Sequence, residues 1–163
     1  MANAYHGKII VGELSDAQDL PSTTSVDSDA MVFIGECTNA GLWIDVYANT
    51  AITIANTFVL HIGLQGFTAD TAASATSPHS IANAGCKPHA TGTVLTEGTA
   101  HYYIMHMTAG TAGVTWTAGD LITQCAIPED MFRALSYDYV QLFYTTTANE
   151  SSELVDAFVY TKV

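Results

Sequence analysis

Positive charge is almost missing from this chain. Among 163 residues the only Lys and Arg are Lys8, Lys87, Arg133 and Lys162, set against 16 Asp and Glu, so the formal net charge is -12. Gripping a phosphate backbone requires clustered cations, and four scattered ones form no such patch, which argues against nucleic-acid binding. An anionic membrane surface is disfavoured for the same reason. Charge of either sign is scarce: charged residues make up 12%, where an ordinary soluble domain has roughly 25%. A chain this sparsely charged tends to cover its surface against copies of itself or another protein, so a homo-oligomer, dimer or trimer, is expected. The acidity itself serves solubility and says little about fold.

Other absences narrow the class further. The three cysteines, Cys37, Cys86 and Cys125, are odd in number and far apart, which argues against a disulfide framework and fits a reducing compartment or small buried thiols. The first residues, Met1 to Lys8, show neither a basic segment nor a long apolar core, so the expectation is a chain without a secretory signal. No apolar run approaches the ~20 residues of a membrane-spanning helix. Sustained helical periodicity is also missing, which argues against an α/β fold for the strands that follow. Asn149-Glu150-Ser151 matches a glycosylation sequon, read here as chance.

Alternation of period two, rich in β-branched and aromatic residues, is what the chain has in plenty. Near the end, Leu121, Thr123, Cys125 and Ile127 share one expected face, and Pro128 closes that run because it has no N–H to give a ladder. Val140, Leu142 and Tyr144 oppose Gln141 and Phe143. Val155, Ala157 and Val159 oppose Asp156, Phe158 and Tyr160. The last two runs, joined across Ala148 to Glu153, are expected to form a terminal hairpin.

Earlier in the chain, Tyr5 and His6 lie in a short polar arm, residues 1–8, ahead of a first strand from Lys8 to Leu14. Ser15 and Gln18 have capping-box spacing, but Pro21 follows at once, so one helical turn or a polar loop is expected there. Ser22 to Asp29 reads as a connection and Ala30 to Cys37 as a core strand. Asn39 to Gly41 should turn. Leu42, Ile44 and Val46 then oppose Trp43, Asp45 and Tyr47. Ala51 to Ile54 suggests a short edge piece. Phe58, Leu60, Ile62 and Leu64 point inward in the clearest alternation of all. Gly66 to Gly98 is an Ala/Thr/Ser/Gly-rich insertion, too long to be an ordinary loop. His101 to Met107 alternates again, and Thr108 to Gly119 is a loop carrying Trp116. Eight to ten short antiparallel strands with no internal repeat make an all-β sandwich or jelly roll in a single domain, with a loop-rich insertion at residues 66–98.

Candidate chemistry is thin. Zinc needs three or four convergent ligands; Cys86 and His89, with His79 upstream, supply a pair without a matching second pair. His101 and His106, five apart, would face opposite sides of a strand, and His61 reads as a solvent or interface residue. No Gly-x-Ser-x-Gly elbow, Cys/His nucleophile context or phosphate-binding Gly motif is present. The carboxylates could pair as in a glycosidase, but most occupy Ser/Thr-rich turns, where solvation explains them. The expectation is therefore a protein with no catalytic residues, no metal and no cofactor. Trp43, Tyr47, Tyr102 and Trp116 are flat rings that could stack on sugar, although aromatics on strands are more often core or subunit contacts.

Several stretches carry a resemblance. Leu14-Ser15-Asp16-Ala17-Gln18, Ser22 to Asp27, Leu42-Trp43-Ile44, Phe58 to Gln65, Gly119, Ile127-Pro128, Arg133 to Tyr144 and Val155-Asp156-Ala157 are together similar to the jelly-roll capsid cement proteins of tailed phages, of the Bordetella-phage type. The resemblance spans about two-thirds of the chain and fails between Gln65 and Gly119, so the insertion inherits no role. It implies an auxiliary, non-enzymatic virion protein, made in the host cytoplasm, that binds the major capsid protein on the outer capsid surface and ties capsomers together. Tyr5, His6, Trp43, Tyr102 and Trp116 are the candidate capsid or subunit contacts. The rival reading is a sugar-binding jelly-roll module of a phage fibre or secreted protein. A cupin-like metal enzyme would share the architecture, but it needs a histidine cluster that the spacing does not provide.

Overall fold

The computed structural model describes residues 7–22, 25–35, 41–54, 59–67, 87–88, 102–108, 114–127, 129–134, 138–146 and 152–162. Among these residues the structure is all-β apart from one helix of six residues. The strands are β1 (Lys8–Asp19), β2 (Ser25–Asp27), β3 (Val32–Phe33), β4 (Leu42–Ala48), β5 (Ile52–Ile54), β6 (Val59–Phe67), β7 (Lys87–Pro88), β8 (Tyr102–Thr108), β9 (Val114–Trp116), β10 (Leu121–Ala126), β11 (Tyr139–Thr146) and β12 (Leu154–Lys162); α1 is Glu129–Ala134.

Pairing is antiparallel throughout and nested. β1 pairs with β12, β2 and β3 with β11, β4 with β10, β5 with β9, and β6 with β8. The chain is thus one long hairpin, folded over so that β12 also lies beside β4, and β11 beside β6. Two principal sheets result, a four-stranded one in the order β1-β12-β4-β10 and a larger one running β2-β11-β6-β8-β7. This rolled hairpin is the jelly roll, with the insertion expected at residues 66–98 falling at its tip; apart from Gly66, Phe67 and the short β7, that insertion lies outside the described residues. β12 and β11 are interior strands of the two sheets, so the end of the chain supplies an inner strand to each layer.

The inner faces meet in one apolar layer. Leu42, Ile44, Val46, Val155, Ala157 and Val159 from the four-stranded sheet lie against Leu60, Ile62, Leu64, Val140, Leu142 and Tyr144 from the other. Each Val, Leu or Ile of this set contributes about 1.5–3 kcal/mol when fully removed from water, so this layer outweighs any single polar contact. Phe132 of α1 is also fully buried, which gives the helix its anchor to the core.

The structure corrects several expectations. β11 and β12 form no terminal hairpin, because they belong to different sheets and the link between them crosses from one layer to the other. Alternation reports which side chains face the core and is silent about the partner strand. The capping-box segment Ser15 to Gln18 is not helical; β1 runs on to Asp19, with register shifts near Gly12, Ser15 and Gln18, and bulges of this kind absorb the extra residues. Leu121 does not share a face with Thr123: a register shift between them turns Leu121 outward, 45% exposed, while Thr123 stays buried. Val114 to Trp116, expected as loop, pairs with β5.

Gly12 sits where β1 passes β3. A Cβ there would lie 2.7 Å from Val32 Cγ1, so only glycine allows the approach. Gly119, at φ 91°, closes the turn before β10, and its N–H donates to Ala48 O at 2.7 Å.

Candidate functional site

The registers of β1, β12, β4 and β10 lay out the outer face of the four-stranded sheet in rows, since residues directly opposite one another share a face. The first row holds Lys8 beside Lys162. The second holds Ile10, Tyr160, Trp43 and Ala126. The third holds Glu13, Phe158, Asp45 and Gln124, and the fourth Asp156, Tyr47 and Leu121. Ile10 and Leu121 are each 45% exposed. The face is therefore aromatic in the middle, aliphatic at two margins and acidic at one end, and the two lysines that start at the other end reach back over the rings.

Its centre is an ion pair. Asp45 is 2% exposed in its side chain although it belongs to the outward row, because Lys8 drapes across β12 to reach it. Asp45 also accepts hydrogen bonds from Tyr47 Oη at 2.8 Å and Gln124 Nε2 at 2.9 Å. Gln124 Nε2 donates in turn to Tyr160 Oη at 2.7 Å. Burial by itself would raise the Asp45 carboxyl, but the hydrogen bonds from Lys8, Gln124, Tyr47 and Tyr160 outweigh it and hold the group below the usual carboxylate range. Burial would likewise lower the Lys8 ammonium, and Asp45 more than reverses this. The Tyr160 hydroxyl is pushed up to about 12, first by burial and then by the neighbouring Asp45 charge.

The rings of this face are occupied. Lys162 Nζ lies 3.3 Å from the Trp43 ring centroid and Lys8 Nζ lies 4.4 Å from that of Tyr160. Both contacts are cation–π pairs. Tyr47 and Phe158 meet at 6.5 Å with their planes tilted by 56°.

At the other end, Glu13 is raised from the ordinary value by burial and by the Asp16 and Asp156 carboxylates. Asp156 is held by the Ala17 N–H at 2.8 Å and by Asn49 Nδ2 at 3.0 Å. Ala17 takes the left-handed φ of 48°, a conformation uncommon for a residue with a Cβ.

The expected contact residues do not gather at one point. Trp43 lies on this outer face. Trp116, on β9, is partly buried and packs against the core. Tyr102 belongs to β8 and pairs with Leu64 and Pro88, its side chain lying outside the described residues. Tyr5 and His6 lie outside them altogether, as do Cys37, His79, Cys86, His89 and His101. Lys8, shared by the expected arm and first strand, belongs to β1. Sequence reasoning missed Asp45 and Lys8 as partners, because 37 residues separate them. It also missed that the register sets His61 opposite His106. Among the described residues no three His, Cys, Asp or Glu side chains converge on a metal-sized site, and no helix is long and apolar enough to cross a membrane. Compared with protein-family models, with curated proteins and with solved structures, the chain finds no match.

Proposed function

We propose that this protein is an auxiliary capsid component, a cement protein that binds the outer surface of an icosahedral phage head and holds neighbouring capsomers together without catalysing a reaction. The observation that carries this reading is the outer face of the four-stranded sheet. It is broad, aromatic and flanked by exposed Ile10 and Leu121, the composition of a protein-contact surface. The sequence resemblance to phage cement proteins supplies the capsid as partner. A ligand that binds the intact shell better than the separated capsomers stabilises the shell by mass action, and a jelly roll with little charge is suited to lying flat against other protein. From their sequence, the arm at residues 1–8 and the long insertion at 66–98 are the further candidate contact segments.

Four rings on one face, Trp43, Tyr47, Phe158 and Tyr160, favour a second reading as a carbohydrate-binding module. Stacking on a sugar requires an open ring face, however, and here ammonium groups cover Trp43 and Tyr160 while Tyr47 and Phe158 tilt against each other. Protein contact is the better use of such a surface.

The test is co-sedimentation with heads that lack the protein, followed by heating with and without it. Saturable binding at a fixed ratio to major capsid protein and a raised disruption temperature are expected. Heads that bind none of it, together with retention of a defined glycan on an array, would transfer the assignment to the sugar-binding reading.

A further inference from the structure

Spacing along single strands places no two histidines on one face, but the ladder between β6 and β8 does. His61 stands directly opposite His106. Leu60 and Ile62, which flank His61 on β6, are fully buried in the core, and their cross-strand partners are Met107 and Met105. Alternation therefore puts both histidine positions on the outer face of the larger sheet. This is the opposite side of the sandwich from the aromatic face built around Asp45.

Residues directly opposite in an antiparallel pair have Cβ atoms about 4.5–5.5 Å apart. Imidazole nitrogens that share one ion each lie about 2.0–2.1 Å from it. The two dimensions are compatible, so one ion fits between imidazoles carried at such positions. The histidine row continues through Thr145 of β11 and Ser25 of β2, hydroxyl-bearing residues that bring no competing cation. In the next row Gly63 stands two residues beyond His61, opposite Tyr103. A glycine carries no side chain to fill the space that coordinated water needs. Lys87 and Asp27 belong to that next row, beside Tyr103 and Phe143, and neither stands in the histidine row. The register shifts between Ile62 and Gly63, and irregularities of this kind recur beside functional sites.

We infer that His61 and His106 form a two-imidazole site for a divalent transition-metal ion, with water in the remaining coordination positions. Imidazole selects nickel, copper and zinc, whereas magnesium and calcium prefer oxygen. A closed structural zinc site takes four protein ligands, so an open pair is better matched to Ni(II) or Cu(II), whose tetragonal arrangements accept imidazole together with water. The whole insertion at residues 66–98 lies between the two histidines in sequence. A chelate across them pins the strand that leads into the insertion to one that follows it, and a clip that closes a long loop limits the freedom of the unfolded chain. The inference rests on the register and is independent of the capsid reading.

Calorimetric titration of the purified, chelator-treated chain with Ni(II) tests it. One ion should bind per chain with a dissociation constant of micromolar order. The thermal midpoint should rise once Ni(II) exceeds that constant, because the pair exists only in the folded chain. Ca(II) should do neither. His61→Gln and His106→Gln each leave a single imidazole, and each should weaken binding by more than the ~10-fold that loss of a mere supporting group costs a metal site. The double variant His79→Gln with His89→Gln removes the histidines of the insertion and should bind as the wild type does. Metal-free midpoints check that the sheet is intact, and if one single variant folds poorly the other still decides. A wild type that takes up no Ni(II), binding that survives replacement of His61 or His106, or binding lost with His79 and His89 would overturn the inference.

Discussion

Asp45 is a buried carboxylate on the outside of a sheet, and the group that buries it is Lys8, which crosses the intervening strand β12 to make the contact. The contact fastens the start of β1 to β4, two strands away, over the Tyr160 ring. A half-hydrated surface pair contributes under ~1 kcal/mol, but here the carboxylate is enclosed and three further groups are aimed at it.

Asp45→Ala should therefore destabilise the fold by about 3 kcal/mol, the lower part of the range for breaking a buried pair, because Lys8 keeps some contact with water. Urea unfolding at neutral pH measures it. The pH dependence has two limbs. The Asp45 carboxyl is lowered when folded, so its contribution is present above its unfolded value of 3.8 and is lost as pH falls through the folded value. The Lys8 ammonium is raised when folded, so its contribution is present below its unfolded value of 10.5 and fades as pH rises past the folded one. Asp45→Asn should flatten the acid limb, and an unchanged acid limb would show that other carboxyls govern it.

Ser15 links β1 to β11 of the other sheet. Its hydroxyl donates to Gln18 Oε1 at 2.6 Å, which leaves the Tyr144 hydroxyl, 2.9 Å away, to donate to Ser15 Oγ. Gln18 Oε1 also accepts from the Asp29 N–H at 3.0 Å, so the bulged end of β1 is tied to the connection after β2. Burial raises the Tyr144 hydroxyl far above its ordinary value, an effect that its bond to Ser15 only partly offsets. Tyr144→Phe should cost about 1 kcal/mol. Ser15→Ala should cost more, about 2 kcal/mol, because it strands the buried tyrosine hydroxyl. Equal losses in the two variants would mean that the hydroxyl finds another acceptor.

Ala17 adopts a backbone conformation that its Cβ disfavours. Ala17→Gly should raise stability by about 0.5–1 kcal/mol, since relief of strain exceeds the entropy that glycine adds to the unfolded chain. A rise in the thermal midpoint is the readout, and a fall would mean that the methyl group makes a contact worth more than the strain.

Gly12→Ala tests the passage of β1 beside β3. A methyl 2.7 Å from Val32 Cγ1 must push the two strands apart, at a cost of about 1–3 kcal/mol. The double variant Gly12→Ala with Val32→Ala should recover part of that loss, because the second change removes the colliding methyls.

Within single strands the sequence was a faithful guide. Leu42, Ile44 and Val46 are buried, as are Val140, Leu142 and Tyr144, and Val155, Ala157 and Val159. Each set follows from a period of two, which is local and survives any choice of partner. The same logic broke down where one residue is added: the register shifts after Ile10 and Leu121 change which residues face out, and nothing nearby in the chain announces them.

Composition and alternation thus determined the class of this protein, all-β with an apolar inner layer, because both are properties of short segments. Tertiary structure alone decided that the first strand pairs with the last, that β11 and β12 part into different sheets, and that Lys8 covers Asp45. Those are contacts between distant segments, chosen by how two whole sheets close over one another, and no local pattern encodes them. The outer face, with Lys8 reaching over Tyr160 to Asp45, exists only because that closure sets β12 between β1 and β4.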